Sequence, residues 1–409
     1  MCQNCNDPTH VPDVADRSRR NLILAGAGLA AAPFLAAPAT AADAQQPSPA
    51  PTPTGPFETR AYGAASKTSP VRPLSIKRRA VGPNDVLIDV HYCGICHSDI
   101  HQVRDEWYGI MTTQWPSVPG HEMTGVVRAV GANVTRFQVG NTCGVGCMVN
   151  SCGECANCKA GLEQHCLTPS KQVFTYNSPD PVLGGHTYGG WSEQIVVPEK
   201  FVLKVPRTVD QAAFAPLLCA GVTTFSPIRR WDIEAGTKVG VVGLGGLGHI
   251  AVKLAVSRGA EVTVFTTTPA KISEAKRLGA ADAVLSTDAA AMQRLAGQLD
   301  ILLVTIPQSY SVNPYLGVLR VAGTLVNIGN MMNLDDVNGA MLVFGRKNIG
   351  SSLIGGLAET QQTIDYCAAR NIKPEIELIR PDQINEAMDR VKDKSVRYRF
   401  VIDLRAGRA

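Results

Sequence analysis

Apolar and polar positions follow different rhythms along the chain. In the second half, residues 238–242 (KVGVV) form a short, nearly continuous apolar run, the pattern of a buried parallel strand. The run meets a glycine-rich turn, after which apolar residues over 250–256 recur at helical spacing. A strand over 261–265, a helix over 270–278, short strands over 283–285 and 299–305, a helix over 314–321 and a strand over 324–329 complete the series. Gly323 and Gly329 punctuate its end. Strand–helix alternation of this kind predicts a doubly wound parallel sheet.

The front of the chain has neither rhythm. Residues 22–42 carry no charge and are rich in Ala and Gly. They leave about 15 residues for a span, short of the ~20 a membrane helix needs. Arg19 and Arg20 precede this run, and small-x-small sites follow at 39–41 and 42–44. Basic front, modest apolar run and small-residue exit predict a signal peptide of twin-arginine type over 1–44. Its expected consequences are a transient encounter with the twin-arginine translocase and a periplasmic or exported mature chain. The alternative is a cytoplasmic protein with an uncleaved extension. Cys2 and Cys5 have metal-knuckle spacing but fall inside the signal. Pro47, Pro49, Pro51, Pro53 and Pro56 make residues 45–56 an extended linker.

Composition narrows the remainder. With 409 residues, at ~150 per domain, two or three domains are expected. Apolar residues make up 45% and charged ones 18%, which excludes a disordered chain and a polytopic membrane protein. The net charge of +4, part of it in the N-terminal arginines, is too small for a nucleic-acid surface. Cysteine is the unusual count, at 12.

Cys152, Cys155, Cys158 and Cys166 stand as C-x2-C-x2-C-x7-C. Such gaps can wrap four thiolates around one ion at a Zn–S distance of ~2.3 Å, and a closed four-thiolate site is structural. Two disulfides or an iron–sulfur cluster are the other chemistries four thiols permit. A second set is dispersed: Cys93, Cys96, His97, Ser98, Asp99 and His101 lie in one stretch, His121 and Glu122 follow, and Cys219 closes a later apolar segment. On spacing alone Cys93 competes with Cys96.

Gly243, Gly245, Gly246, Leu247 and Gly248 form the glycine-rich turn between strand and helix. Placed there, glycines let a pyrophosphate approach the helix N-terminus. An NAD site wants Asp or Glu at the end of the next strand, but that end reads Thr266, Thr267 and Thr268, with Lys271 beyond. Hydroxyls and a cation suit a 2′-phosphate, so the expected cofactor is NADP.

In this number and order the motifs resemble the zinc-dependent medium-chain alcohol dehydrogenases. Within them, the likeness is strongest to NADPH-dependent aldehyde reductases of the cinnamyl-alcohol-dehydrogenase type, over 60–404. The resemblance implies an α/β fold: a GroES-like, β-rich catalytic domain (57–219 and 350–409) interrupted by a doubly wound Rossmann domain with a parallel sheet (220–349). It implies a catalytic zinc on Cys96, His121 and Cys219, with the fourth position open, and a structural zinc on Cys152, Cys155, Cys158 and Cys166. That makes two zincs per chain. The Cys2His set with an open position is the one known for alcohol dehydrogenases. Glu122 would lie behind the metal or ligate it occasionally, and Asp99 would fix the tautomer of His121. Ser98 and His101 would relay a proton, and His97 would face the cofactor pyrophosphate.

The implied activity is hydride transfer from NADPH to a small-molecule aldehyde, reversible as an alcohol dehydrogenase. Trp107, Tyr108 and Trp115 would wall the cleft, favouring aryl or medium-chain substrates. Residues 106–115 look slightly longer than in relatives. A homodimer joined through Rossmann edge strands is implied, with 331–344 contributing, and no nucleic-acid or membrane partner for the mature form. The rival expectations are an NAD(H)-linked alcohol or polyol dehydrogenase and a non-catalytic exported protein retaining the fold for binding or redox sensing.

Overall fold

The structure, a computed structural model, describes residues 52–406. The signal expected over 1–44 and the first part of the linker lie outside the described residues.

Two large sheets carry most of the described chain, beside two two-stranded ones, Phe57–Gly63 with Arg72–Arg78 and Met148–Asn150 with Val173–Phe174. The first has seven strands in the order Ile376–Ile379, Arg399–Asp403, Asp85–Gly94, Met123–Val130, Thr142–Val145, Leu203–Lys204, with Gln194–Pro198 also paired to Asp85–Gly94. Antiparallel pairing dominates it, Ile376–Ile379 against Arg399–Asp403 being parallel. Register fixes where its functional residues meet. Cys93 stands opposite Met123 on one side and Ile402 on the other. The segment leaving the central strand, with Cys96, therefore emerges beside the segment entering its neighbour, with His121 and Glu122.

The second sheet has six strands, all parallel, in the order Asp282–Leu285, Glu261–Thr266, Lys238–Val242, Leu299–Val304, Leu319–Asn327, Asn348–Ser351. Numbered along the chain this is the 3-2-1-4-5-6 order of a dinucleotide-binding fold, whose ligand crevice opens where the winding reverses. Lys238–Val242 occupies that position and runs into Gly243.

The expected helix over 314–321 is corrected: it spans Asn313–Val318, and residues 319–321 already belong to the strand Leu319–Asn327. Leu316, Val318, Leu319 and Val321 form a short apolar run that periodicity alone cannot assign. Leu319 pairs with Leu299, the register shifts, and Ala322 takes a left-handed φ of 63° before pairing resumes at Thr324. The boundary expected at 349/350 falls inside the last parallel strand. Beyond it, helix Leu357–Ala369 buries Ile364 and Cys367 in the same cluster as Val239, Val241, Val262 and Val264. The chain rejoins the first sheet at Ile376.

Each sheet has its own apolar cluster. The first gathers Val86, Ile88, Val90, Met123, Trp191 and Phe400; the second continues from the Rossmann strands to Leu217 and Leu218, next to Cys219. Fully burying side chains of this size contributes roughly 1.5–3 kcal/mol each. Among the described residues no single helix is long and apolar enough to cross a membrane.

Candidate active site

Cys96 stands at the N-terminus of helix His97–Val103 in extended conformation. The buried Asp99 carboxylate organises everything around it. Its Oδ2 accepts the Cys96 N–H at 2.8 Å, and its Oδ1 accepts the Gly120 N–H and lies 3.0 Å from His121 Nδ1. Nδ1 thus donates to Asp99, leaving His121 Nε2 as the free donor atom. Burial opposes a charge on His121, but Asp99 outweighs it and holds the imidazole well above its usual range. Cys219 sits where a short 3-10 turn meets helix Ala220–Arg230.

Cys96, His121, Glu122 and Cys219, all buried, place one ligand atom each within 4.8 Å of one another. A hydrogen bond from Cys219 pulls the Cys96 thiol well down, while hydrogen bonds with Cys147 and Cys96 hold Cys219 well up. Burial lifts Glu122 to about 7, although Arg399 opposes it. One Glu122 oxygen accepts from Arg399 Nη2; the other is buried without a partner among the described residues. Two sulfurs and one imidazole nitrogen around one centre form a three-ligand set that fits zinc with an open fourth position, and the orphaned Glu122 oxygen lies beside it. Cys93 lies outside the group, its Sγ 3.7 Å from Gly94 O and its thiol raised by burial.

Ser98 and His101 lie three apart on helix His97–Val103, hence on one face. Cys96 Sγ is 3.6 Å from Ser98 Oγ, so the hydroxyl abuts the donor cluster. The His97 and His101 rings are 5.1 Å apart. Burial, then the neighbouring His101, push His97 down to about 4, making it a neutral donor at ordinary pH. Of the expected aromatic walls, Trp107 stacks on His101, Tyr108 is 76% exposed, and Trp115 packs half-buried on the first core. The segment that carries all three packs against the relay side and the core. One aromatic ring beside the cluster was missed by the motifs: Tyr176, 5.5 Å from His121. Cys147, which helps hold the Cys219 thiol up, was missed as well. Neither carries a local spacing signal, because both arrive from beyond the four-cysteine lobe or its edge.

Helix Gly248–Ser257 starts directly at the glycine-rich turn. Gly243 has φ +94° and donates its N–H to Phe265 O at 2.8 Å, and a Cβ on Gly248 would strike Gly243 O. A Cβ on Gly246 would meet Arg399 Cδ at 2.7 Å, and Gly245 faces open space. Leu247 precedes the helix as its N-cap. Arg399 Nε is buried without a partner among the described residues. A cradle of glycine backbone beside an orphaned guanidinium N–H fits a pyrophosphate. Arg399 thus touches both the metal-type cluster, through Glu122, and the nucleotide-type loop, through Gly246. The tail 395–401 belonged to the resemblance, but nothing in its spacing marked Arg399.

At the second strand's end, Thr266 Oγ1 accepts the Thr268 N–H at 3.2 Å and braces the turn. Thr267 is exposed and Thr268 half-buried. Lys271 is buried, its Nζ donating to Leu244 O at 2.8 Å, and burial lowers its pKa. Thr267 and Thr268 are therefore the groups open to a ligand there, with Lys271 tying their helix to the glycine loop.

Cys152, Cys155, Cys158 and Cys166 likewise converge within 4.8 Å. Their sulfurs accept backbone N–H groups: Cys155 and Glu154 to Cys152 at 3.3 and 3.5 Å, Leu167 and Cys158 to Cys155 at 3.4 and 3.5 Å, and Cys152 to Cys166 at 3.5 Å. These donors lower Cys152 to about 6. Amides aimed at sulfur stabilise thiolates, while burial raises Cys158 to about 11; four converging cysteine sulfurs fit a closed zinc site.

Residues 82–207 match the family model "Alcohol dehydrogenase GroES-like domain" and residues 246–369 match "Zinc-binding dehydrogenase". The NADP-dependent alcohol dehydrogenase C 1 of Mycolicibacterium smegmatis is 50% identical over 343 residues, 84% of this chain and 97% of that protein. The aldehyde reductase YahK of Escherichia coli is 47% identical, covering 85% and 98%. Among solved structures, a cinnamyl alcohol dehydrogenase from Sorghum bicolor superposes with TM-score 0.82 at 38% identity, over 86% of this chain and 98% of that one. The Helicobacter pylori enzyme described as CAD complexed with NADP(H) gives 0.78 at 38% identity, over 86% and 99%.

Proposed function

The chain belongs to the zinc-dependent alcohol dehydrogenase family, and from that premise we propose that it reduces aryl or medium-chain aldehydes with NADPH, reversibly. It is an oxidoreductase of alcohols and aldehydes, with zinc and NADP as cofactors. The observation that carries the finer reading is the convergence of Cys96, His121 and Cys219 beside an unpartnered Glu122 oxygen, with Arg399 joining that cluster to the glycine loop.

Bound zinc supplies Lewis acidity, and the reduced nicotinamide supplies the hydride. Cys96, His121 and Cys219 hold the metal, and Asp99 orients His121. Gly243, Gly245, Gly246 and Gly248 admit the pyrophosphate, while Arg399 Nε and neutral His97 donate to it. Thr267 and Thr268 receive the 2′-phosphate. Ser98 beside the cluster and His101 toward solvent pass the proton that a nascent alcohol requires. Tyr176 provides an aromatic surface next to His121, which supports aryl and medium-chain substrates.

The test is NADPH oxidation with benzaldehyde or cinnamaldehyde, together with a zinc count, before and after Cys219→Ala. We expect zinc to fall from two per chain to one and turnover to drop by ~10³ or more. Undiminished turnover overturns the zinc reading, and a kcat/KM for NADH at or above that for NADPH overturns the cofactor assignment.

Two further parts of the reading concern the whole protein. A homodimer is supported by the edge strand Asn348–Ser351 and by Val343 and Phe344, which are 75% and 88% exposed just before it. Export as a folded, cofactor-loaded protein is supported by Arg19, Arg20 and the uncharged run behind them. Replacing both arginines by lysine should retain the protein in the cytoplasmic fraction; an unchanged distribution rejects export.

A further inference from the structure

The turn after helix His97–Val103 does more than close the helix. Asp105 adopts a left-handed φ of 54°, and its carboxylate accepts the Thr113 N–H at 2.9 Å. The Glu106 N–H donates to His101 O at 2.9 Å. This geometry folds the Glu106 side chain back along the preceding helix, and Oε2 reaches 2.5 Å from His101 Nδ1. Trp107, the next residue, stacks on the imidazole at 5.1 Å between centroids and 29° between planes. His101 is thus gripped by a carboxylate at one nitrogen and by an indole on its face. The other charged and titratable groups in this neighbourhood are His97, whose ring is 5.1 Å away, and Lys392, whose Nζ lies 3.9 Å from Glu106 Oε1.

We propose that Glu106 is the positioning residue of the proton relay: by accepting the Nδ1 proton of His101 it holds the ring in the tautomer whose Nε2 exchanges the catalytic proton. This inference rests on the reading of His101 as the relay's outer member. Because Nδ1–H is committed to Glu106, only Nε2 is left for transfer. In the reducing direction the imidazolium gives up its Nε2 proton toward the substrate side and becomes the neutral Nδ1–H form. Water then returns a proton to Nε2. In the oxidising direction the same nitrogen takes the proton up. Lys392 steadies the carboxylate from the side of helix Ile384–Lys392, and Trp107 stops the ring from turning out of line. Without Glu106, the neutral ring would divide between two tautomers, and the wrong one presents an N–H where an acceptor is needed.

The experiment compares Glu106→Leu, Glu106→Gln and His101→Gln in the zinc-loaded protein. Steady-state kinetics with cinnamaldehyde are paired with nitrogen NMR of ring-labelled histidine. Glu106→Leu should lower kcat by about tenfold while the KM values for NADPH and aldehyde stay within about twofold. Its His101 ring signals should move from the Nδ1–H pattern to a mixture. Glu106→Gln, which keeps an acceptor oxygen and the side-chain shape, should recover much of both. Adding Glu106→Leu to His101→Gln should cost nothing further. If His101→Gln lowers kcat but Glu106→Leu leaves both kcat and the Nδ1–H signature intact, the inference is overturned and the relay stands. If His101→Gln turns over like the unmodified protein, the relay reading itself fails, and the inference with it.

Discussion

Arg399 is where two binding problems share one side chain. Its Nη2 pairs with Glu122 behind the donor cluster, its stem lies where a Cβ on Gly246 would stand, and its Nε has no partner among the described residues. A buried carboxylate beside a buried guanidinium is costly to break from one side, because the survivor is left uncompensated. Glu122 has a way out: burial already lifts it to about 7, so it can take up a proton when the cation is lost. The penalty of removing Arg399 should therefore appear chiefly in nucleotide binding. A charge-assisted hydrogen bond contributes ~1.5–3 kcal/mol, or about 10- to 100-fold in affinity. Arg399→Ala is expected to weaken NADPH by that factor in a fluorescence titration while the zinc count stays at two. An affinity within about twofold of the parent would show that Arg399 serves the metal cluster alone.

The proposed cofactor specificity and zinc stapling each turn on one short element. The turn from strand Glu261–Thr266 into helix Ala270–Arg277 ends in three threonines, of which Thr266 braces the backbone and Thr267 and Thr268 stay accessible. A carboxylate at Thr267 would repel a 2′-phosphate and accept ribose hydroxyls. Thr267→Asp should lower kcat/KM for NADPH by ~10²-fold and raise that for NADH, both read in the same assay; an unchanged ratio would move the 2′-phosphate away from this turn.

The four-cysteine lobe has a four-residue helix, Ala156–Lys159, with Cys158 as its buried residue, and a three-residue 3-10 turn, Glu163–His165, whose buried residues are polar. With so little apolar burial, its order depends on the ion. Cys155→Ser should release one zinc, open residues near 155–167 to protease and lower Tm, while leaving the ligands of the other site in place. An intact, protease-resistant lobe without zinc would contradict this.

The difference between these elements explains what sequence could and could not reveal. Cysteine spacing and the strand–glycine–helix junction are local, so both were readable, as was the alternation of the parallel sheet. Arg399, Tyr176 and Cys147 reach the site through sheet pairing and loop return across long sequence separations, and no periodicity encodes that. Trp107 was visible as an aromatic, but its stacking on His101 was not, since nothing local distinguishes a cleft wall from a ring packed on a histidine.

At the scale of the molecule, the return segment between the two sheets is held by charges. Glu375 receives both Arg277 guanidinium nitrogens at 2.8 and 2.7 Å and lies 3.3 Å from Lys253. Glu274 takes Arg397 at 2.7 Å and the Tyr398 hydroxyl at 2.6 Å. His249, from the helix that starts at the glycine loop, accepts the Glu375 N–H at 3.2 Å and stacks on Tyr398 at 4.6 Å. Arg399 follows directly, so this cluster sets the position of the residue that lies against both Glu122 and Gly246.

The hydrogen bonds from Arg277, reinforced by Lys253, depress the Glu375 carboxyl from 4.5 to about 2. A carboxylate with a depressed folded-state pKa stabilises the fold fully above its unfolded value, and that contribution is lost as pH falls through the folded value. The relevant window runs from pH 4.5 down to about 2. Because these groups are partly exposed and screened, a contribution of about 1 kcal/mol is expected, well below what the shift alone would give. Glu375→Gln should therefore lower stability to urea by about 1 kcal/mol at pH 7, and the gap from the parent should close as pH approaches 2. Raising the salt concentration at pH 7 should narrow it too, since exposed pairs are screened. If the gap is as wide at pH 2.5 as at pH 7, the loss is one of packing rather than charge. The same variant should weaken NADPH binding slightly at neutral pH, because the strand that carries Arg399 would then be less firmly seated against the Rossmann helices.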